Sequence, residues 1–123
     1  MSNEITINAS MVYEDVDGVT QSISITDKLV TVTTKQPMKY RQLVTTGGDD
    51  IILGEIGSIG WMMLKNLDPV NSVEVRTAAA GLQIGKMLAG ESYGPVRVGA
   101  GIPAPGMAAV GGSCWVEVLI CAT

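Results

Sequence analysis

The first 26 residues alternate between apolar and polar. Ile5, Ile7, Ala9, Met11 and Tyr13 hold odd positions, with Thr6, Asn8 and Ser10 between them. Successive side chains of a strand point to opposite faces, so this spacing predicts a strand with one buried face. Glu14-Asp15-Val16-Asp17-Gly18 then forms a turn cluster ending in Asp-Gly. The alternation resumes with Val19, Ile23 and Ile25 directed inward and Thr20, Ser22, Ser24 and Thr26 outward. Two such runs around Asp-Gly predict a β-hairpin.

Further short strands follow at similar intervals. Leu29 to Thr34 reads as a third strand of Val and Thr, ended by Pro37, and Met38 to Thr46 as a fourth. Gly47-Gly48-Asp49-Asp50 reads as a turn before the apolar run Ile51-Ile52-Leu53. Gly60 to Leu67, Ser72 to Arg76, Leu82 to Leu88 and Tyr93 to Val98 are further strand candidates. The first of these is apolar on both faces, which predicts cover on both. Thr77 to Gly81 is open between a turn and the start of a helix that Gly81 would stop. Gly99 to Gly112 is Gly, Ala and Pro almost throughout, which predicts an extended loop or arm, the alternative being a bulged strand with short turns. Ser113 to Ala122 closes the chain as a strand with one wholly apolar face. No heptads or internal repeats interrupt this pattern. At 123 residues the chain is expected to form one all-β domain, an antiparallel β-sandwich of jelly-roll type.

Composition narrows the function. Charged residues are 16%, against about 25% in an average soluble domain, while apolar content is ordinary. The deficit is in the charges that coat a free monomer, so part of the surface is expected to meet other protein chains. A monomer coated with Ser, Thr, Asn and Gly is the alternative. The net charge is −4 and Lys and Arg are scattered, which argues against nucleic-acid binding. The opening Met1-Ser2-Asn3-Glu4 lacks the basic and apolar regions of an export signal. The longest uncharged run, Val98 to Val116, contains Pro103 and Pro105 and is no membrane helix.

Catalytic and metal motifs fail on inspection. With no His, the usual nucleophilic triads and the common zinc and copper ligand sets are excluded. Cys114 and Cys121 are seven apart, hence on opposite faces of one strand, and are expected to be reduced, buried and unpaired. Asp15-Val16-Asp17-Gly18 resembles the start of a calcium loop, but the twelfth position is Thr26 rather than Glu. Asp49 and Asp50 form a second acidic pair in a turn. Gly54, Gly57 and Gly60 do not make a phosphate loop. Glu55, Glu74, Glu91 and Glu117 are isolated in sequence, and nothing pairs them for acid–base work. The expectation is a non-enzyme without cofactor or metal.

Several stretches, taken in order, resemble small structural proteins of tailed bacteriophages, of the capsid decoration or cement type. They are Ile5 to Tyr13, Gly60-Trp61-Met62-Met63-Leu64-Lys65-Asn66-Leu67-Asp68, Asn71 to Val75, Leu88-Ala89-Gly90-Glu91, Gly94-Pro95-Val96-Arg97, and Val116 to Ile120. The Asn-Leu-Asp turn and the Gly-Glu turn carry most of the likeness. Ala89 stands where the family commonly has Pro. The resemblance implies a β-sandwich that binds the outer head surface and steadies capsomer contacts. It implies the major capsid protein and copies of the chain itself, as a homotrimer, as partners, with no nucleic acid and no membrane. It implies residence in the virion after synthesis in the bacterial host cytoplasm, and brings no catalytic residues. A phage tail or baseplate component would need the same features. A carbohydrate-binding module using Trp61 or Trp115 as a platform is the reading from another class. The candidate contact residues are Trp115 and Leu119 on the last strand, Ile102, Pro103, Pro105 and Met107 in the 99–112 arm, and the Met1–Glu4 terminus.

Overall fold

The computed structural model describes residues 4–32, 37–57, 59–99, 101–102 and 104–122, and they form strands and turns with no helix. The strands are β1 (Glu4–Glu14), β2 (Thr20–Thr31), β3 (Met38–Val44), β4 (Asp49–Asp50) and β5 (Trp61–Asn66). They continue with β6 (Ser72–Arg76), β7 (Gln83–Met87), β8 (Ser92–Arg97), β9 (Gly106–Val110) and β10 (Cys114–Cys121). Strands β3 to β10 make two antiparallel four-stranded sheets, ordered β3-β10-β5-β8 and β4-β9-β6-β7. Counted from the first sandwich strand, these orders are 1-8-3-6 and 2-7-4-5, the strand order of a jelly roll. The fold is the antiparallel β-sandwich that the spacing of strands predicts.

The core lies between the sheets. Leu64, Val116, Val118 and Ile120 come from one sheet and Val73, Val75, Met87 and Met107 from the other. On β10 the even residues point inward, as the alternation requires. Tyr93 of β8 fills the space left by Gly85 of β7, where a Cβ would stand 2.3 Å from its ring. That contact joins the two sheets along the β7–β8 side. On β3, the Tyr40 hydroxyl donates to the Ile52 carbonyl, and Gln42 donates to the Asp50 carbonyl at 2.8 Å.

Four expectations change. The run Leu29 to Thr34 does not open a third strand, because Leu29 to Thr31 continue β2. Of the rest, Val32 is buried just past β2, and residues 33 and 34 lie outside the described set. Asp49 and Asp50 are not only a turn, since they pair with Met107 and Gly106 of β9. Thr77 to Gly81 is a turn closed by the Gly81 amide on the Ala78 carbonyl at 2.9 Å. The largest correction concerns the 99–112 segment, whose centre is the strand β9, held between β4 and β6. Pro105, Met107, Ala108 and Ala109 are buried. Small residues are needed there because the turn after β6 folds over the outside of β9. A Cβ on Gly106 would lie 2.3 Å from backbone atoms of Ala78 and Ala79. Composition suggested a floppy arm, whereas close backbone approach is what the glycine serves.

Asn66 is the main polar group of the interior and is fully buried. Its amide nitrogen donates to the carbonyls of Asn71, Leu88 and Met87 at 2.9, 3.2 and 3.3 Å, and its oxygen accepts the Asp68 amide at 3.0 Å. Asp68 in turn accepts the Val70 and Asn71 amides, which hold its carboxyl below the usual range. Glu91 closes the neighbouring turn, accepting the Leu88 amide at 2.8 Å. The Asn-Leu-Asp and Gly-Glu motifs are therefore one structural device that ties two loops together.

Two outcomes follow. Asn66→Ala strands buried carbonyls and an amide, and should cost roughly 2–3 kcal/mol in urea unfolding, with the m-value unchanged. Burial pushes the Tyr40 phenol up to about 12. A phenol whose pKa is raised on folding contributes stability that is complete below its unfolded value near 10 and is lost as the pH climbs toward 12. Alkaline unfolding of wild type should therefore show this loss between those values, and Tyr40→Phe should remove that part of the pH dependence.

Candidate docking surface

The predicted hairpin forms. Strands β1 and β2 pair antiparallel, with Ala9 opposite Ile25 and Met11 opposite Ile23. Asp15 builds the tip, its carboxylate accepting the amides of Asp17 and Val19 at 2.9 and 3.0 Å. Gly18 sits at φ 79°, where only a residue without a Cβ is unstrained. The calcium-like spelling of this segment is thus a turn whose leading carboxylate is engaged by its own backbone. Asp49 and Asp50 behave likewise, accepting from Thr45 and from the Ala79 amide. Among the described residues no cluster of acidic or Cys side chains could hold a metal ion.

One feature of the hairpin was missed. Between Ile7 and Ala9 the register shifts, as the partner moves from Lys28 to Ile25. Asp27 takes φ 52° and donates its amide to Asn8 Oδ1 at 2.9 Å. This bulge exchanges the faces of β2, so that Val30 and Ile25 can share a side. The signal was present as a switch from odd apolar positions, Ile23 and Ile25, to even ones, Val30 and Val32.

Only the root of the hairpin is packed. Ile5 and Ile7 border a small cavity of about 110 Å³ with Trp61, Met63, Leu119 and Cys121, on the outer face of β5 and β10. Beyond the bulge the apolar face is bare. Met11 is 76% exposed, Ile23 72% and Tyr13 62%. These residues were expected to face a core, and within the chain they do not. The hairpin face and the edge strand β8 border an open cleft of about 580 Å³, lined by Ala9, Met11, Ile23 and Ile25 and by Ser92 to Val96.

The outer face of the β3-β10-β5-β8 sheet is the second bare surface. The register aligns Leu43 with Trp115, Arg41 with Glu117 and Lys65, and Lys39 with Leu119 and Met63. Trp115 is 53% exposed and Leu119 37%. Arg41 and Glu117 approach at 4.0 Å, a loose exposed pair of little energetic weight. Nearer the hairpin root, the Arg97 guanidinium lies 5.2 Å from the Trp61 ring centroid. Both Trp115 and Leu119 therefore lie together on an accessible face. Ile102 is half-buried, and Pro103 and the terminal residues 1–3 lie outside the described set. Pro105 and Met107 are removed from the candidate contacts because they are buried within their own sandwich.

A third apolar cluster sits at the end of the sandwich above Asn66. Val70 is 81% exposed, with Leu88 and Val110 also exposed. Asn66 reaches both the Asn71 and Leu88 carbonyls, and Val110 pairs with Ser72, which brings the three together. Sequence reasoning missed this group because its members come from three separate stretches, the loop at Val70, the residue after β7 at Leu88 and the end of β9 at Val110.

Compared with protein-family models, with curated proteins and with solved structures, the chain finds no match.

Both cysteines are free and buried, and burial pushes their thiols up. Cys114 faces the core, whereas Cys121 lies under the hairpin root. Ile7→Ala removes packing from that root and should speed labelling of native Cys121 by a thiol reagent about tenfold or more, leaving Cys114 slow. Mass spectrometry of the labelled peptides reads the difference.

Proposed function

We propose that the chain is a capsid decoration protein of a tailed bacteriophage, a non-catalytic jelly roll that binds the outer head surface and steadies capsomer contacts. The observation that carries this reading is the apolar surface left bare on an otherwise closed sandwich. Free monomers seldom leave several apolar patches uncovered, and large ones mark protein contacts. The sequence likeness to small phage head proteins gives the contacts their setting, with the major capsid protein as partner and the virion as location.

The sandwich end bearing Val70, Leu88 and Val110 suits the capsid contact. It is a compact apolar patch on loops stiffened from beneath by Asn66, Asp68 and Glu91. Stiff loops lose less entropy on docking than free ones. Repetition of a modest contact at many capsid positions supplies the avidity that one patch lacks.

Purified protein is mixed with empty capsids that lack it, and occupancy is read by pelleting and mass-spectrometric stoichiometry. Wild type should bind at a fixed ratio to the capsid protein and raise capsid melting. Val70→Asp combined with Leu88→Asp should reduce occupancy at least tenfold while the circular-dichroism spectrum stays that of a sandwich. Binding to isolated tails instead of heads would move the chain to the tail. Binding to neither would refute the virion reading.

A further inference from the structure

We propose that the β1–β2 hairpin of one copy docks on the bare outer face of the β3-β10-β5-β8 sheet of a second copy, head to tail. The contact requires no capsid, so it stands or falls separately from the decoration role.

The hairpin needs a partner. A two-stranded ribbon is marginal in water unless its apolar face is covered. Met11, Tyr13, Ile23 and Ile25 remain exposed in the single chain, although the bulge at Asp27 places Ile23 and Ile25 on the same face as Ile5 and Ile7. The segment is built as though the face had a destination.

The sheet supplies a matching one. Beyond the part at Trp61 and Cys121 that the chain's own hairpin root covers, its outer face carries Leu43 and Trp115 exposed, with Met63 and Leu119 half-open at the margin of the root. A ribbon laid on such a sheet packs at about 10 Å, as two sheets of a sandwich do.

Charge identifies the partner as another copy. Over β1, β2 and the turn between them the acids Glu4, Glu14, Asp15, Asp17 and Asp27 stand against one cation, Lys28, which pairs with Ile7 at the root, and the tip holds Glu14, Asp15 and Asp17. The receiving face presents Lys39, Arg41 and Lys65 against the single acid Glu117. One chain thus carries both an acidic apolar ribbon and a basic apolar face. Two different patches on the same molecule make a heterologous contact, which closes into a ring or runs on as a filament. Complementary potentials also favour this pairing over ribbon on ribbon, where the acidic tips repel.

The test uses the full chain, sedimentation velocity and three sets of charge variants. Glu14 and Asp17 are chosen because Asp15 holds the turn. Wild type should associate at micromolar concentration, more weakly as salt rises. Glu14→Lys with Asp17→Lys, and separately Arg41→Glu with Lys65→Glu, should each weaken association at least tenfold while the circular-dichroism spectrum is kept. Mixing these two variants makes both cross-pairs complementary, the basic ribbon of one with the acidic face of the other and the acidic ribbon with the basic face, and should restore the association that neither variant shows alone. Placing all four changes in one chain should restore the wild-type assembly. A wild-type monomer at 100-fold above micromolar concentration would overturn the proposal. So would variants that associate as wild type does, or a four-fold variant that stays monomeric.

Discussion

Leu64, Val116, Val118 and Ile120 exclude water only because Val73, Val75, Met87 and Met107 face them across the sandwich. An antiparallel sheet with one apolar face has no stability alone, and this pairing of faces governs the rest of the molecule. Eight strands satisfy it by forming two equal sheets. The remaining two strands obey the same alternation but have no third sheet to meet. Their root is held by Trp61, Leu119 and Cys121, and their outer half is left with the same unmet requirement that the sandwich resolves internally. The packing of the core and the exposure of the hairpin are two results of one rule.

Closing the sandwich places tight demands on backbone approach. The turn after β6 lies against the outside of β9, and the Tyr93 ring lies against β7, so Gly106 and Gly85 occupy sites that admit no Cβ. The polar residues serve the same end. Asn66, Asp68, Glu91 and Asp49 each take up backbone groups that the loops would otherwise bury or leave unpaired. Their carboxylates and amide are committed to architecture. What remains for recognition is apolar surface edged with unlike charge.

The Asn-Leu-Asp and Gly-Glu turns both stiffen one end of the sandwich. Exposed apolar side chains lie above that end at Val70, Leu88 and Val110, and also on the hairpin and at Trp115 and Leu119.

Much of the local structure was legible in the amino-acid pattern, although β9 and the end of β2 were not. Period-two alternation in Ile5 to Tyr13 and in β10, and Asp-Gly at the tip, specified strands and a hairpin through contacts between near neighbours. The absence of His removed whole classes of chemistry before any fold was known. Alternation reports that two faces differ, but not which of them is covered. Whether Met11 and Ile23 meet a core depends on where other strands end, and it took the tertiary structure to show that both stay exposed. The same limit hid β9, whose Gly106, Ala108 and Ala109 read as loop composition. For Gly106 that smallness is a response to Ala78 and Ala79, almost thirty residues away in sequence and touching in space. Trp115 and Leu119 were legible as an outer face because strand parity is local. Val70, Leu88 and Val110 were not, because three distant stretches of chain become neighbours only when β9, β6 and β7 pair in one sheet.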